Sequence, residues 1–129
     1  MKRLLIAAMG IMLAWPVLAH SDHKFTKGPH GGHIVDAGGG KQHWELVASG
    51  GELTLYVSDA DEQPVDTQGG AATGQVLVGG NTVNVSFAPS GGNTLKATGD
   101  FTAAKGMKVI VKTDKIGGQS MQARLTPMQ

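Results

Sequence analysis

The chain contains no cysteine, so neither disulfide bridges nor thiolate metal ligands contribute to what it builds. Aromatic residues make up only 5% of it. Beyond the first nineteen residues they are Phe25, Trp44, Tyr56, Phe87 and Phe101, too few for a broad substrate platform. No serine or paired-carboxylate constellation suited to hydrolysis can be assembled, and an enzyme is not expected. No stretch of helix length carries the 3.6-residue apolar period. A bilayer-spanning run is missing as well, because the apolar segment Leu4 to Trp15 is too short to cross comfortably.

That short run has another reading. Lys2 and Arg3 precede it, Pro16 breaks it, and Val17-Leu18-Ala19 forms a small-residue cleavage site. Residues 1–19 therefore read as a secretory signal peptide. The expected location is the periplasm or the secreted fraction, with His20 as the mature amino terminus. Processing also changes the charge balance. Of 11 basic residues, loss of Lys2 and Arg3 leaves 9 against 10 acidic, a net charge of −1 with neutral histidines. Such a balance is no footprint for nucleic acid or an anionic membrane. The remaining 110 of 129 residues can bury a core large enough to fold without disulfides.

What the chain does have is histidine in one place. His20, His23, His30, His33 and His43 all fall between His20 and Glu45, and none follows. Neutral imidazole offers a nitrogen lone pair near neutral pH, which makes histidine the commonest protein metal ligand. From His20 to Gly32 the chain is poor in apolar residues and carries Gly28-Pro29 and Gly31-Gly32. It reads as a flexible His-rich arm over residues 20–32.

From residue 33 to 129 the pattern changes to short alternating runs divided by glycine turns. The 20 glycines of the chain belong largely to these turns. Strands are expected at 33–36, 40–48, 53–58, 74–78, 82–87, 94–98, 107–113 and 121–126, with a short edge piece at Val65-Asp66 and one helical turn at Phe101 to Gly106. The fold class expected is all-β, a small immunoglobulin-like antiparallel β-sandwich of seven or eight strands. A β-barrel of similar strand number is the alternative.

Strand parity extends the histidine reading. A first hairpin centred on Gly38 sets His33 opposite His43 and groups Ile34 with Trp44 and Leu46 on a core face. Directly opposed residues have Cβ atoms about 4.5–5.5 Å apart, close enough for two imidazoles to share an ion. Glu45 lies diagonally on that face as an oxygen ligand or as an orienting group. His30 would close over the site from the turn. The competing reading of His33 and His43 is a solvated cross-strand pair.

A mature His20 would offer its amino nitrogen and imidazole Nδ1 to one Cu(II) ion. This resembles the copper-binding amino terminus of periplasmic copper-resistance proteins and of copper oxygenases that attack polysaccharide. His23 is fourth in the mature chain, so the motif with histidine third is absent. Met107, Met121 and Met128 form no Met-x-x-Met cluster for Cu(I), and the first two read as packing residues. Asp59, Asp61, Glu62 and Asp66 lack the spacing of a calcium loop and read as a solvated turn.

A broader resemblance covers much of the mature chain. GPHGGHIVDAGG, HWELVASGGELTLYVSD and QPVDTQGGAATGQVLVGG resemble small exported proteins and domains related to the periplasmic adaptor subunits of RND-type heavy-metal efflux pumps. The resemblance implies an all-β exported domain linked to divalent metal handling, with His30 and His33 the leading ligands and His43 next. A heavy-metal efflux pump component is the implied partner. The coiled-coil hairpin and membrane-fusion parts of an adaptor are lacking, so the chain would be a free-standing relative. The expected function is metal delivery, buffering or resistance, with Cu(II) or Zn²⁺ as cofactor and His20, His23, His30, His33, His43 and Glu45 as candidate ligands. The alternative is a metal-free immunoglobulin-like interaction module.

Overall fold

The computed structural model of the protein describes residues 26–128. The expected signal segment, His20 and His23 lie outside the described residues. Nine strands run through the rest: β1 (Thr26–Lys27), β2 (His33–Ala37), β3 (Gln42–Ser49), β4 (Glu52–Asp59), β5 (Ala71–Val78), β6 (Asn81–Pro89), β7 (Thr94–Thr98), β8 (Lys108–Asp114) and β9 (Gln122–Leu125). All pair antiparallel, in the order β1-β2-β3-β4-β7-β6-β5-β8-β9. Together they form one continuous sheet curled into a half-barrel. The all-β class is as expected, with nine strands in place of seven or eight.

The curl has a local cause. β6 pairs with β5 from Asn81 to Phe87 but with β7 only at Ala88 and Pro89. Proline lacks an N–H and sits best where pairing changes hands, so β6 passes from one arm of the sheet to the other there. The curl brings β2 beside β9. Alternating side chains from both arms then meet in the middle. Trp44 and Leu46 on β3, Leu55 and Val57 on β4, Val76 on β5, and Val109 and Val111 on β8 are fully buried. Each such side chain contributes about 1.5–3 kcal/mol of burial.

Polar groups inside this core are paired, as burial demands. Gln42 is buried; its amide donates to the Ile116 carbonyl (2.9 Å) and its oxygen accepts from the Trp44 indole N–H (3.0 Å). The buried Thr67 hydroxyl donates to the Thr94 carbonyl at 2.9 Å, anchoring the long β4–β5 connection. Met107 is buried and Met121 packs on the core, matching their reading as packing residues. A Cβ on Gly38 would stand 2.7 Å from the Met121 sulfur, so the β2–β3 turn sits directly on the entry to β9.

Four expectations differ from the structure, three of them local. Residues 26–32 are not a free arm: Thr26 and Lys27 pair with Ile34 and His33, and the segment after them folds back on β3. Phe101 to Gly106 forms no helical turn; 101–104 is irregular and Lys105-Gly106 is a turn. Val65-Asp66 is not a strand, although the Val65 N–H still donates to the Val57 carbonyl at 3.1 Å.

The largest correction concerns the first hairpin. Ala37 pairs with Gln42, Asp36 with His43, Val35 with Trp44, Ile34 with Glu45 and His33 with Leu46. His33 and His43 are therefore not opposed. The turn is four residues long, and Gly38, Gly39 and Gly40 all take positive φ (62°, 70° and 98°), which only glycine adopts freely. An even-length turn reverses the parity of a three-residue one. His33 consequently joins the inner face, and Ile34 moves to the outer face beside Glu45.

Candidate functional site

Glu45 is the organising residue. Strand alternation places it on the outer face of β3, where a carboxylate belongs in water, yet it is only 4% exposed. The segment Gly28 to Gly32 covers it. That segment closes on itself through a Gly28 N–H to Gly32 carbonyl bond of 2.7 Å and a Gly31 N–H to Gly28 carbonyl bond of 3.1 Å. Its remaining donors turn down onto the carboxylate. Glu45 Oε2 accepts from the backbone N–H of His30 at 2.8 Å and of Gly32 at 2.9 Å. Glu45 Oε1 lies 2.8 Å from His30 Nδ1. A buried carboxylate met by several donors is held in one place.

The glycines of GPHGG make that approach possible. A Cβ on Gly28 would fall 2.2 Å from Glu45 Cδ, and one on Gly32 would fall 2.2 Å from the Leu46 carbonyl oxygen. Any side chain at either position would push the turn off the strand. The motif is thus a wrapping for one carboxylate.

His30 is the residue this wrapping presents. Its ring stacks on Tyr56, with centroids 3.7 Å apart and planes 2° from parallel. Tyr56 reaches that place because β4 pairs it with Glu45. The imidazole is thus gripped on its face by Tyr56 and at Nδ1 by Glu45, while its side chain stays 44% exposed. Toward an ionised carboxylate, which only accepts hydrogen bonds, a neutral imidazole turns its Nδ1–H and keeps its lone pair on Nε2. Metal-binding histidines are commonly oriented by a carboxylate that accepts from their other ring nitrogen.

His43 lies on the same outer face. Its Nε2 is 3.5 Å from Asp36 Oδ1, a loose contact across the hairpin. His30, Asp36, His43, Tyr56 and Glu62 line a common open hollow of about 590 Å³. Glu62 comes from the acidic β4–β5 loop and has a positive φ of 64°. The loop is turned by Asp59, whose Oδ1 accepts from the N–H groups of Asp61 (2.8 Å) and Gln63 (2.9 Å).

His33 plays a different part. On the inner face its Nδ1 lies 2.9 Å from the Thr126 carbonyl, joining β2 to the segment after β9. The sequence-derived ligands are therefore divided: His30, His43 and Glu45 share the outer face, and His33 does not. Among the described residues, no group of three or more His, Asp or Glu side chains stands ready to hold a metal ion. Tyr56, Asp36 and Glu62 were not among the sequence candidates. Tyr56 could have been found by pairing β3 with β4 about a two-residue Gly50-Gly51 turn, which sets Ser49 against Glu52 and Tyr56 against Glu45.

Comparison with known protein families, with curated proteins and with solved structures finds no match to this chain.

Proposed function

We propose that this chain is an exported binding protein for a divalent metal ion, Cu(II) or Zn²⁺, serving delivery, buffering or resistance. The observation that carries the reading is the grip on His30: an imidazole stacked at 3.7 Å on Tyr56 and held at Nδ1 by a buried carboxylate. That grip offers Nε2 as a preoriented ligand at the edge of a hollow that also contains His43. Glu45 orients and does not ligate, because both of its oxygens are already engaged. His20 and His23, upstream of β1, supply the further nitrogens. The resemblance of GPHGGH and its following strands to efflux-adaptor domains supports the same chemistry and suggests a pump component as the recipient. In this reading the two arms of the curled sheet act as the layers of an immunoglobulin-like sandwich.

The competing reading, a metal-free interaction module, is favoured by the lack of a three-ligand group among the described residues. Calorimetric titration with Cu(II) and Zn²⁺, with EPR for copper, separates the two. The protein should be exported and processed so that its natural amino terminus is present. Tight binding that is weakened by His30→Ala, and again by His20→Ala with His23→Ala, is expected. Equal, weak binding by all variants would sink the metal reading.

A further inference from the structure

The outer face of the other arm carries a different chemistry. Pairing of β8 with β5 and β9 sets Lys108 beside Leu77, Ile110 between Gln75 and Arg124, and Lys112 between Thr73 and Gln122. All of these side chains point away from the core. Lys108, Lys112 and Arg124 are exposed, and none makes an ion pair among the described residues. Lys108 and Lys112 stand about 13 Å apart along one strand, with Arg124 on the next strand between them. The acidic groups nearby are Asp114, which accepts from the Ser120 hydroxyl at 2.8 Å, and Asp100. Asp59 ends β4, Glu62 lines the hollow beside His30 and His43, and Asp61 and Asp66 share the same β4–β5 loop. Unpaired cations on one face attract an anionic partner and steer its approach.

At the Lys108 end this face runs into an open hollow of about 940 Å³. Val78, Val83, Phe101 and the buried Met107 line it, together with Lys105, Lys108 and one acidic residue, Asp100. Leu77 lines it too and is the exposed large hydrophobic residue of the described chain, at 37%. Exposed apolar surface bordered by charge marks an interaction site. The apolar part is a recess, which a bulky side chain fills and a flat lipid surface does not.

We propose that the outer face of β5, β8 and β9, with this recess at its end, docks an acidic polypeptide segment carrying one bulky apolar side chain. The apolar side chain enters the recess beside Leu77 and Phe101, and carboxylates follow along Lys108, Arg124 and Lys112. This surface lies on the opposite arm from His30, so a partner held there leaves the histidine hollow open. The inference does not depend on metal binding.

The probe is a fluorescein-labelled peptide of alternating glutamate and glycine with one central phenylalanine, added to the full processed protein and followed by anisotropy. Binding should weaken about tenfold or more in Lys108→Glu/Lys112→Glu/Arg124→Glu and should fall with added salt. Leu77→Ser should weaken binding of this peptide but leave unchanged that of a version with glycine in place of phenylalanine. Lys41→Glu/Lys96→Glu serves as the control and should bind as the parent does. Circular dichroism verifies that each variant is folded. No binding by the parent protein, equal binding by the triple variant, or equal loss in the control would overturn the proposal. So would capture by phosphatidylglycerol vesicles without capture of the peptide.

Discussion

At the scale of single residues, one carboxylate explains a motif. Glu45 is buried where a strand face would normally be wet, and the Gly28–Gly32 turn exists in its observed form to satisfy it. Glu45→Ala would leave the buried N–H of Gly32 and the half-buried N–H of His30 without acceptors, and the His30 ring without its anchor. It should destabilise the fold by about 2–3 kcal/mol, read as a lower midpoint in urea. Glu45→Gln should recover only part of this, because its amide group turns N–H donors toward N–H donors. Gly28→Ala makes the complementary test. Its Cβ would overlap the Glu45 side chain, and a loss of about 1–3 kcal/mol is expected from the overpacking. Tyr56→Phe keeps the ring under His30 and should change metal affinity little, whereas Tyr56→Ala removes the stack and should weaken it.

The hairpin of β2 and β3 is where reading the elements from sequence partly failed. Eight of the nine strands overlap their expected ranges, since glycine turns and alternation mark them; β7 matches residue for residue, β5 starts three residues early, and only β1 is unforeseen. Alternation on β3 also correctly separated His43 and Glu45 from Trp44 and Leu46. Which residues of β2 face them was another matter. Apolar Ile34 reads as an inward residue, but it pairs with Glu45 on the outer face. Polar His33 reads as its outward neighbour opposite His43, but its Nδ1 meets the Thr126 carbonyl from the inner side. Both exceptions depend on distant chain, the Gly28–Gly32 turn and the segment after β9, and neither is visible within the hairpin. The number of glycines that belong to the turn decides the register, and three in a row do not announce it.

This register can be tested directly. Asp36→Cys/His43→Cys replaces a directly opposed pair and should oxidise to a disulfide without unfolding the protein. His33→Cys/His43→Cys should not, because the two lie on opposite faces and about 10 Å apart along the strands. The histidines should also differ in their effect on stability. His33→Ala loses a half-buried bond across the seam and should cost about 1 kcal/mol. His43→Ala loses a 3.5 Å contact to the exposed Asp36 and should change stability by less than about 0.5 kcal/mol.

On the scale of the whole molecule, the curled sheet separates two chemistries. One arm carries His30, His43 and the acidic β4–β5 loop on its outer face; the other carries Lys108, Lys112 and Arg124. The core between them makes the two surfaces independent, so metal binding and acidic-peptide binding should not compete. A metal ion that binds only the folded protein must also stabilise it. At a free concentration one hundred times its Kd, Zn²⁺ should add about 2.7 kcal/mol, seen as a higher unfolding midpoint that falls back on chelation. Acidification should reduce this gain, because protons compete for the imidazole nitrogens.

The most direct test of the central claim is a long-range ¹H–¹⁵N NMR spectrum of the imidazoles in the full processed protein, recorded during titration with Zn²⁺. Nε2 of His30 should shift in proportion to bound zinc while its Nδ1 keeps its proton, with His33 unmoved. Glu45→Gln should weaken this response. If His30 stays unchanged while zinc binds elsewhere, or if no imidazole responds at all, the assignment of His30 as the anchoring ligand is wrong.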